Sequence, residues 1–204
     1  ASELAPLDVY VLHKLALTQL KARDAGRART TIDRILSLDK DALKWNAEVA
    51  GLEGRYWKDE GAKLENNGQP AGAKDCYRRA RDAYKAPLEN GNADHYLADN
   101  AGQRSLKIED REGAQEAYRH ARIALESVTP DNESIWTLAT RVHVALVLED
   151  DKQALDYLKS ISKVRRPPTE DELGSIRRGL AIVRAGMGRS EAEYQQWLGA
   201  LGSP

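Results

Sequence analysis

Residues 113–121 have the sequence Gly-Ala-Gln-Glu-Ala-Tyr-Arg-His-Ala, and residues 72–80 have the similar sequence Gly-Ala-Lys-Asp-Cys-Tyr-Arg-Arg-Ala. In both, an alanine is followed by tyrosine four residues later and by alanine seven residues later, which places the three side chains on one helix face. The pattern of small and apolar residues occurs four times, in sets that begin 45, 41 and 40 residues apart. The sets are Ala28, Ile32 and Ile35; Ala73, Tyr77 and Ala80; Ala114, Tyr118 and Ala121; and Ala154, Leu158 and Ile161.

The segments between turn-forming residues all have the helical period of apolar residues, and none has the alternation of a β-strand. Asp131 or Asn132 before Ile135, and Thr169 with Glu172, have the pattern of helix N-caps. The sequence therefore predicts an all-α protein, an α-solenoid of about five antiparallel helix pairs. We expect a single domain over residues 1–204, with repeats at about 7–40, 41–88, 93–129, 131–165 and 169–201.

We call the first alanine of each set (Ala28, Ala73, Ala114 and Ala154) its marker alanine. A small or aliphatic residue stands twelve positions before three of them, at Ala16, Gly102 and Val142. A small residue there lets the two helices of a pair approach closely. In the second repeat, Gly51 and Gly54 stand more than twelve positions before Ala73. This spacing predicts about ten extra residues in the hinge between the two helices of the second repeat. The fifth repeat fits the pattern only loosely and is expected to be a terminal cap.

These packing positions resemble those of the tetratricopeptide repeat, a two-helix unit that stacks into a superhelix. Three further stretches, at residues 8–17, 95–101 and 135–140, resemble successive landmarks of the TRAFs-binding domain. That helical-repeat region is found in bacterial signalling proteins and in the apoptosis-signal-regulating kinases. The resemblance implies a regulatory scaffold that is often one module of a longer signalling chain.

Composition and charge argue against several other classes of protein. Lys plus Arg (31) nearly cancels Asp plus Glu (32), and no half of the chain is strongly basic, so we expect no nucleic-acid partner. The longest apolar run, residues 142–148, is too short to span a bilayer, and no targeting segment opens the chain, which together predict no membrane partner and a cytoplasmic location. Cys76 lies in an amphipathic segment and is expected to be a half-buried small hydrophobe.

No motif indicates catalysis. The four histidines are not paired at metal-ligand spacing, and the chain contains no phosphate-binding glycine loop and no nucleophile elbow. We therefore predict no metal, no cofactor and no enzymatic activity.

Aromatic residues predict a binding face. Tyr10, Tyr96 and Trp136 stand eighteen residues before a marker alanine, and the predicted insertion makes Trp45 their equivalent. In tetratricopeptide-like stacks the first helices line a concave groove, where aromatic and polar side chains hold a peptide. The opposite interpretation is that these aromatics fasten each first helix to the preceding repeat. The predicted groove residues are Tyr10, His13, Trp45, Glu48, Tyr96, Asp99, Asn100, Gln103, Trp136 and His143.

Three functions are consistent with this pattern. The leading hypothesis is a scaffold that binds a peptide or helix of a partner protein. Other domains of a longer chain are further candidate partners. The alternatives are a sensor for a small molecule or signalling peptide and, more weakly, an all-α hydrolase.

Overall fold

The computed structural model describes residues 5–129, 132–161, 163–164 and 166–202, with side chains from residue 9 onward. Over these residues the chain forms eleven α-helices and no β-strand, which confirms the all-α prediction. The helices are α1 (Ala5–Lys21), α2 (Ala25–Leu38), α3 (Ala42–Trp45), α4 (Ala47–Asn66), α5 (Pro70–Glu89), α6 (His95–Lys107), α7 (Arg111–Glu126), α8 (Ile135–Val147), α9 (Asp151–Ile161), α10 (Glu170–Met187) and α11 (Glu191–Leu201).

Polar side chains explain where most of these helices begin. Asp24, Asp94 and Asp110 each accept a hydrogen bond from a backbone N–H in the first turn of the helix that follows. Such a bond satisfies one of the N–H groups that a helix leaves without an internal partner. The predicted cap of α10 is confirmed: Thr169 and Glu172 form a reciprocal capping box.

The predicted cap of α8 is wrong. Ser134, one residue before the helix, accepts a hydrogen bond from the backbone N–H of Thr137 at 3.1 Å. Asn132 lies in a turn further upstream, and Asp131 is outside the described residues.

Helix packing divides the chain into two compact units, unit 1 (Ala1–Asn92) and unit 2 (Ala93–Pro204). Unit 1 contains α1 to α5, in which α1 packs against α2 and α4 packs against α5. Unit 2 contains α6 to α11, in which α6 packs against α7 and α8 against α9. The short helix α3 was not predicted; it packs against α4 and α5. Residues 131 and 165, the predicted bounds of the fourth repeat, lie outside the described residues.

The four hairpins share one turn geometry. One residue of each turn has a left-handed backbone conformation, and the N–H of the next residue donates to a carbonyl five positions earlier at 2.8–2.9 Å. This is the Schellman arrangement that ends many helices. The left-handed residues are Arg23, Gly68, Glu109 and Glu149, each five positions before a marker alanine.

The same register places a tyrosine ring over a glycine in both units. A Cβ added to Gly61 would lie 2.6 Å from the ring of Tyr77, and one added to Gly102 would lie 2.5 Å from the ring of Tyr118. Gly61 is therefore the equivalent of Gly102, and the ten-residue insertion predicted in the second hinge is wrong. The extra length lies instead at the start of α4, which begins fourteen residues before Gly61, whereas α6 begins seven before Gly102.

The last two helices pack differently from the four hairpins. Helix α10 lies against both α6 and α8, while α11 packs against α9 as well as α10. Two glycines bring the backbone of α10 close to its neighbours: a Cβ at Gly179 would lie 2.6 Å from His143, and one at Gly186 would lie 2.6 Å from Leu106. The Arg111 side chain also donates to the Gly186 carbonyl at 2.9 Å. The face shared by α6 and α8 is thus covered by α10.

Candidate binding surfaces

The four predicted groove aromatics are all on the protein surface. The exposed fractions are 61% for Tyr10, 65% for Trp45, 50% for Tyr96 and 47% for Trp136. Aromatics that fasten one helix to another are normally buried, and these side chains leave about half of their area to solvent. The exposures therefore favour a surface role over the packing interpretation, and partner contact by these residues remains a prediction.

Only three of these aromatics share one register position. Tyr96 and Trp136 are the second residues of α6 and α8, each two residues after the N-cap, Asp94 or Ser134. Tyr10 holds the same place relative to its marker alanine.

Trp45 does not belong to this set. It ends the short helix α3, and with Gly61 as the reference the equivalent position in α4 is Arg55. The equivalence of Trp45 with the other aromatics was therefore wrong.

In unit 1 the two predicted polar groove residues contact each other. His13 of α1 is buried, and its Nε2 lies 3.0 Å from Oε2 of Glu48 at the start of α4. Glu48 itself is largely exposed. The pair joins α1 to α4, so His13 contributes to packing and Glu48 is the member that solvent or a partner can reach.

In unit 2 three predicted groove residues form a largely buried polar cluster. Asp99 Oδ1 lies 2.9 Å from His143 Nδ1, and the second oxygen, Oδ2, accepts a hydrogen bond from Gln103 Nε2 at 3.0 Å. Burial, followed by the negative charge of Asp99, raises the pKa of Tyr118 well above its ordinary value. Each oxygen of the Asp99 carboxylate thus has a hydrogen-bonding partner within unit 2, His143 for one and Gln103 for the other.

Helix α10 closes this cluster from solvent. The ring of His143 is 2% exposed and packs against the backbone of α10 at Gly179. His143 Nε2 has no hydrogen-bond partner among the described residues. The structure therefore places His143 in the interior, where it positions Asp99 and supports α10, and not on an open groove as predicted.

Asn100 is half-buried, and its amide is already partly engaged. Its Nδ2 donates to the Tyr96 carbonyl one turn earlier on α6 at 2.9 Å. The Asn100 side-chain oxygen is therefore more available to accept a hydrogen bond from a ligand backbone than its Nδ2 is to donate one.

Sequence reasoning missed a second polar cluster, in unit 1. Glu53 is buried and accepts two hydrogen bonds of 2.7 Å, from Trp57 Nε1 and from Arg29 Nη1. The guanidinium of Arg79 lies 4.5 Å from the centre of the Trp57 ring. The spacing of Glu53 and Trp57, four residues apart on one helix, was a signal that could have found this contact.

An open cleft of about 330 Å³ lies beside this cluster in unit 1. Both oxygens of Glu53 are satisfied internally, so the polar groups of the cleft that face outward come from α5. The lining residues are Leu43, Glu53, Trp57, Arg79, Asp82 and Ala83.

Three features of the described residues bear on the hydrolase alternative. No group of three or more His, Cys, Asp or Glu side chains among them is placed to hold a metal ion. Asp99 and His143 resemble the orienting half of a hydrolytic triad, but the free ring nitrogen faces Gly179 where a nucleophile would be needed. Burial raises the pKa of the Cys76 thiol, which disfavours the reactive thiolate.

None of the described helices combines the length and the apolar character needed to cross a bilayer. No protein-family model matches the chain, and no curated protein matches it.

Proposed function

We propose that this protein is an interaction scaffold that binds a partner protein through exposed aromatic side chains at one repeated position of its first helices. The supporting observation is that Tyr10, Tyr96 and Trp136 occupy one register position and all remain about half exposed. The wider proposal is a tetratricopeptide-like solenoid similar to the TRAFs-binding region, acting in the cytoplasm as a module of a signalling protein.

Aromatic surface left in water carries a free-energy cost that a partner can remove. Hydrating apolar area is unfavourable by about 25 cal/mol per Å², and a half-exposed Tyr or Trp side chain offers roughly 100 Å² to a partner. Tyrosine and tryptophan are also the side chains that most often carry binding energy at protein interfaces. Within unit 2, Tyr96 and Trp136 at one repeated position suit an extended or helical segment that contacts both α6 and α8.

Unit 2 allows a direct test, because Tyr96 and Trp136 can be compared with a matched control. Ile123 on α7 is 61% exposed and does not occupy the repeated position. Partners captured by the full chain from cell extract would be identified by mass spectrometry, and their affinities measured by calorimetry. We expect Trp136→Ala and Tyr96→Ala to weaken binding about fivefold or more, which corresponds to about 1 kcal/mol, while Ile123→Ala has little effect.

Stability must be measured on the same variants. A Trp136 that packed in the interior would cost about 3–5 kcal/mol when truncated, and a surface Trp136 should cost far less. A large fall in melting temperature with unchanged affinity per folded molecule would contradict the proposed role of Trp136. Equal loss of affinity in Ile123→Ala would contradict the specificity of the repeated position.

A second candidate function is a sensor for a small molecule. The observation that favours it is the open cleft beside Trp57, where a stacked guanidinium and a tryptophan face lie together. A metabolite that co-purifies with the chain and is lost from Trp57→Ala, but not from Trp136→Ala, would select this function over the scaffold.

A further inference from the structure

Two oppositely charged side chains of α5 line the open cleft of unit 1 without pairing with each other. Arg79 and Asp82 are three residues apart, so they lie on one face of the helix, and both are exposed. The guanidinium of Arg79 lies 4.5 Å from the centre of the Trp57 ring, and the described residues provide no carboxylate partner for it. Asp75, one turn earlier on α5, is paired with Arg78. The N–H groups along the edge of Arg79 are therefore available to an anion.

Asp82 keeps one carboxylate oxygen open. Its Oδ1 lies 2.8 Å from Nε and 2.7 Å from Nη2 of Arg81. The second oxygen, Oδ2, accepts no hydrogen bond from the described residues. Because an ionised carboxylate accepts hydrogen bonds through both oxygens, Oδ2 can still take a cationic donor. The cleft thus offers an acceptor for a cation at Asp82 and donors for an anion at Arg79.

A chain of contacts inside unit 1 holds the guanidinium of Arg79 in place. The buried Glu53 accepts hydrogen bonds of 2.7 Å from Arg29 Nη1 on one oxygen and from Trp57 Nε1 on the other. The indole ring is therefore anchored by a buried acceptor, and the ring in turn supports Arg79. A side chain that is already held loses less conformational entropy when it binds a ligand.

The rest of the cleft is mainly apolar and small. Leu43 of α3 and Ala83 of α5 line it together with Trp57. Ala83 is buried and Leu43 is half-buried. The volume of about 330 Å³ is at the small end of the range for ligand sites, which is about 300–1,000 Å³. The cleft therefore suits a small ligand with an apolar group beside its charges.

We propose that this cleft binds a free α-amino acid with an apolar side chain. The ligand carboxylate accepts hydrogen bonds from Arg79, the ligand ammonium donates to Oδ2 of Asp82, and the apolar side chain lies against Leu43 and Ala83. An α-amino acid carries both charges and the side chain on one carbon atom, whereas a simple organic acid or amine would satisfy only one of the two charged residues. The inference deepens the second candidate function, the small-molecule sensor, and rests on it.

A nuclear magnetic resonance titration of the full chain with L-leucine provides the test. The indole N–H signal of Trp57, assigned by its absence from the spectrum of Trp57→Phe, would report binding. We expect a saturable shift with a Kd below about 10 mM, as for a small ligand in an open site. N-acetyl-leucine, which lacks the ammonium, and leucinamide, which lacks the carboxylate, should each bind about tenfold more weakly or worse.

Substitutions on α5 assign the two charged contacts. Arg79→Gln and Asp82→Asn should each weaken leucine binding about tenfold or more, because each removes one charge-assisted contact. Arg78→Gln and Asp75→Asn are the matched controls, since they change a charged pair on the same helix that does not line the cleft. Both controls should bind leucine as the original chain does.

The inference is overturned if leucine does not bind with a Kd below about 10 mM, if either derivative binds as well as leucine, or if Arg79→Gln or Asp82→Asn binds unchanged. A co-purified metabolite that lacks one of the two charges and is lost from Trp57→Ala would support the sensor function and would overturn the amino-acid assignment. None of these outcomes decides the scaffold function, which is tested on Tyr96 and Trp136 in unit 2.

Discussion

Replacing Gly102 with alanine tests the close contact between α6 and α7. The added Cβ would lie 2.5 Å from Tyr118 Cε2 and 2.8 Å from Cζ, about 1 Å closer than carbon atoms normally approach. Tyr118 is fully buried, so its ring cannot swing into solvent to make room. Overpacking of this kind costs about 1–3 kcal/mol. Alanine recovers up to about 1 kcal/mol of helix propensity, so we expect a net loss of about 1–2 kcal/mol.

The assay is urea and thermal unfolding followed by far-ultraviolet circular dichroism. For a chain of this size, a loss of 1 kcal/mol lowers the melting temperature by about 2–4 °C. Gly61→Ala should behave alike, because its Cβ would meet the buried ring of Tyr77.

Gly26 and Gly199 are the matched controls, since a Cβ at either has no neighbour within 4 Å. Their alanine variants should be neutral or slightly more stable. If Gly102→Ala and Gly61→Ala are as stable as these controls, the tyrosine-on-glycine contact and the register built on it are wrong.

Three further predictions concern the turns, the caps and the buried cluster. Glu109→Gly and Glu149→Gly should each stabilise the protein by up to about 1 kcal/mol in urea unfolding, because they relieve a left-handed conformation, whereas Gly68→Ala should destabilise it by about 1 kcal/mol. The hydrogen bond from Arg166, followed by those from Thr169, lowers the pKa of Glu172 from 4.5 to about 2. The ionised Glu172 carboxylate should therefore stabilise the fold above pH 4.5, and this stabilisation should be lost as the pH falls towards 2. Glu172→Gln should flatten that part of the stability–pH profile. An unchanged slope would contradict the prediction. Asp99→Ala should cost about 2–4 kcal/mol, because His143 and Gln103 lose their acceptor inside unit 2; a cost no larger than that of the exposed control Asp75→Ala would contradict the cluster's role.

Local features of the fold could be predicted from the sequence. Helix periodicity, the Thr169–Glu172 capping box and the marker alanines depend on residues within two turns of one another. The four hairpin turns follow the same spacing, and three of them use Arg or Glu where glycine would be easier. For that reason a search for turn glycines alone would have missed the repeat.

The register of the second hairpin was predictable but was assigned wrongly. Helix α4 contains three glycines, Gly51, Gly54 and Gly61, and a glycine alone does not say which neighbour will approach it. The interval of twelve residues to the marker alanine selects Gly61, as it selects Gly102. Choosing the earlier glycines introduced an insertion that does not exist and gave Trp45 a position that it does not occupy.

The buried cluster of unit 2 could not have been found from local patterns. Asp99 and His143 are 44 residues apart, and their burial depends on α10, whose Gly179 lies a further 36 residues along the chain. Before α10 is placed, Asp99, Gln103 and His143 occupy the helix face that a groove would use, which is why they were predicted to bind a partner. Once α10 covers that face, the polar side chains bond to one another and the aromatic residues at the helix starts remain outside. Since a partner can contact only what the fold leaves exposed, the binding hypothesis rests on Tyr10, Tyr96 and Trp136, and the polar cluster determines how firmly α10 is held.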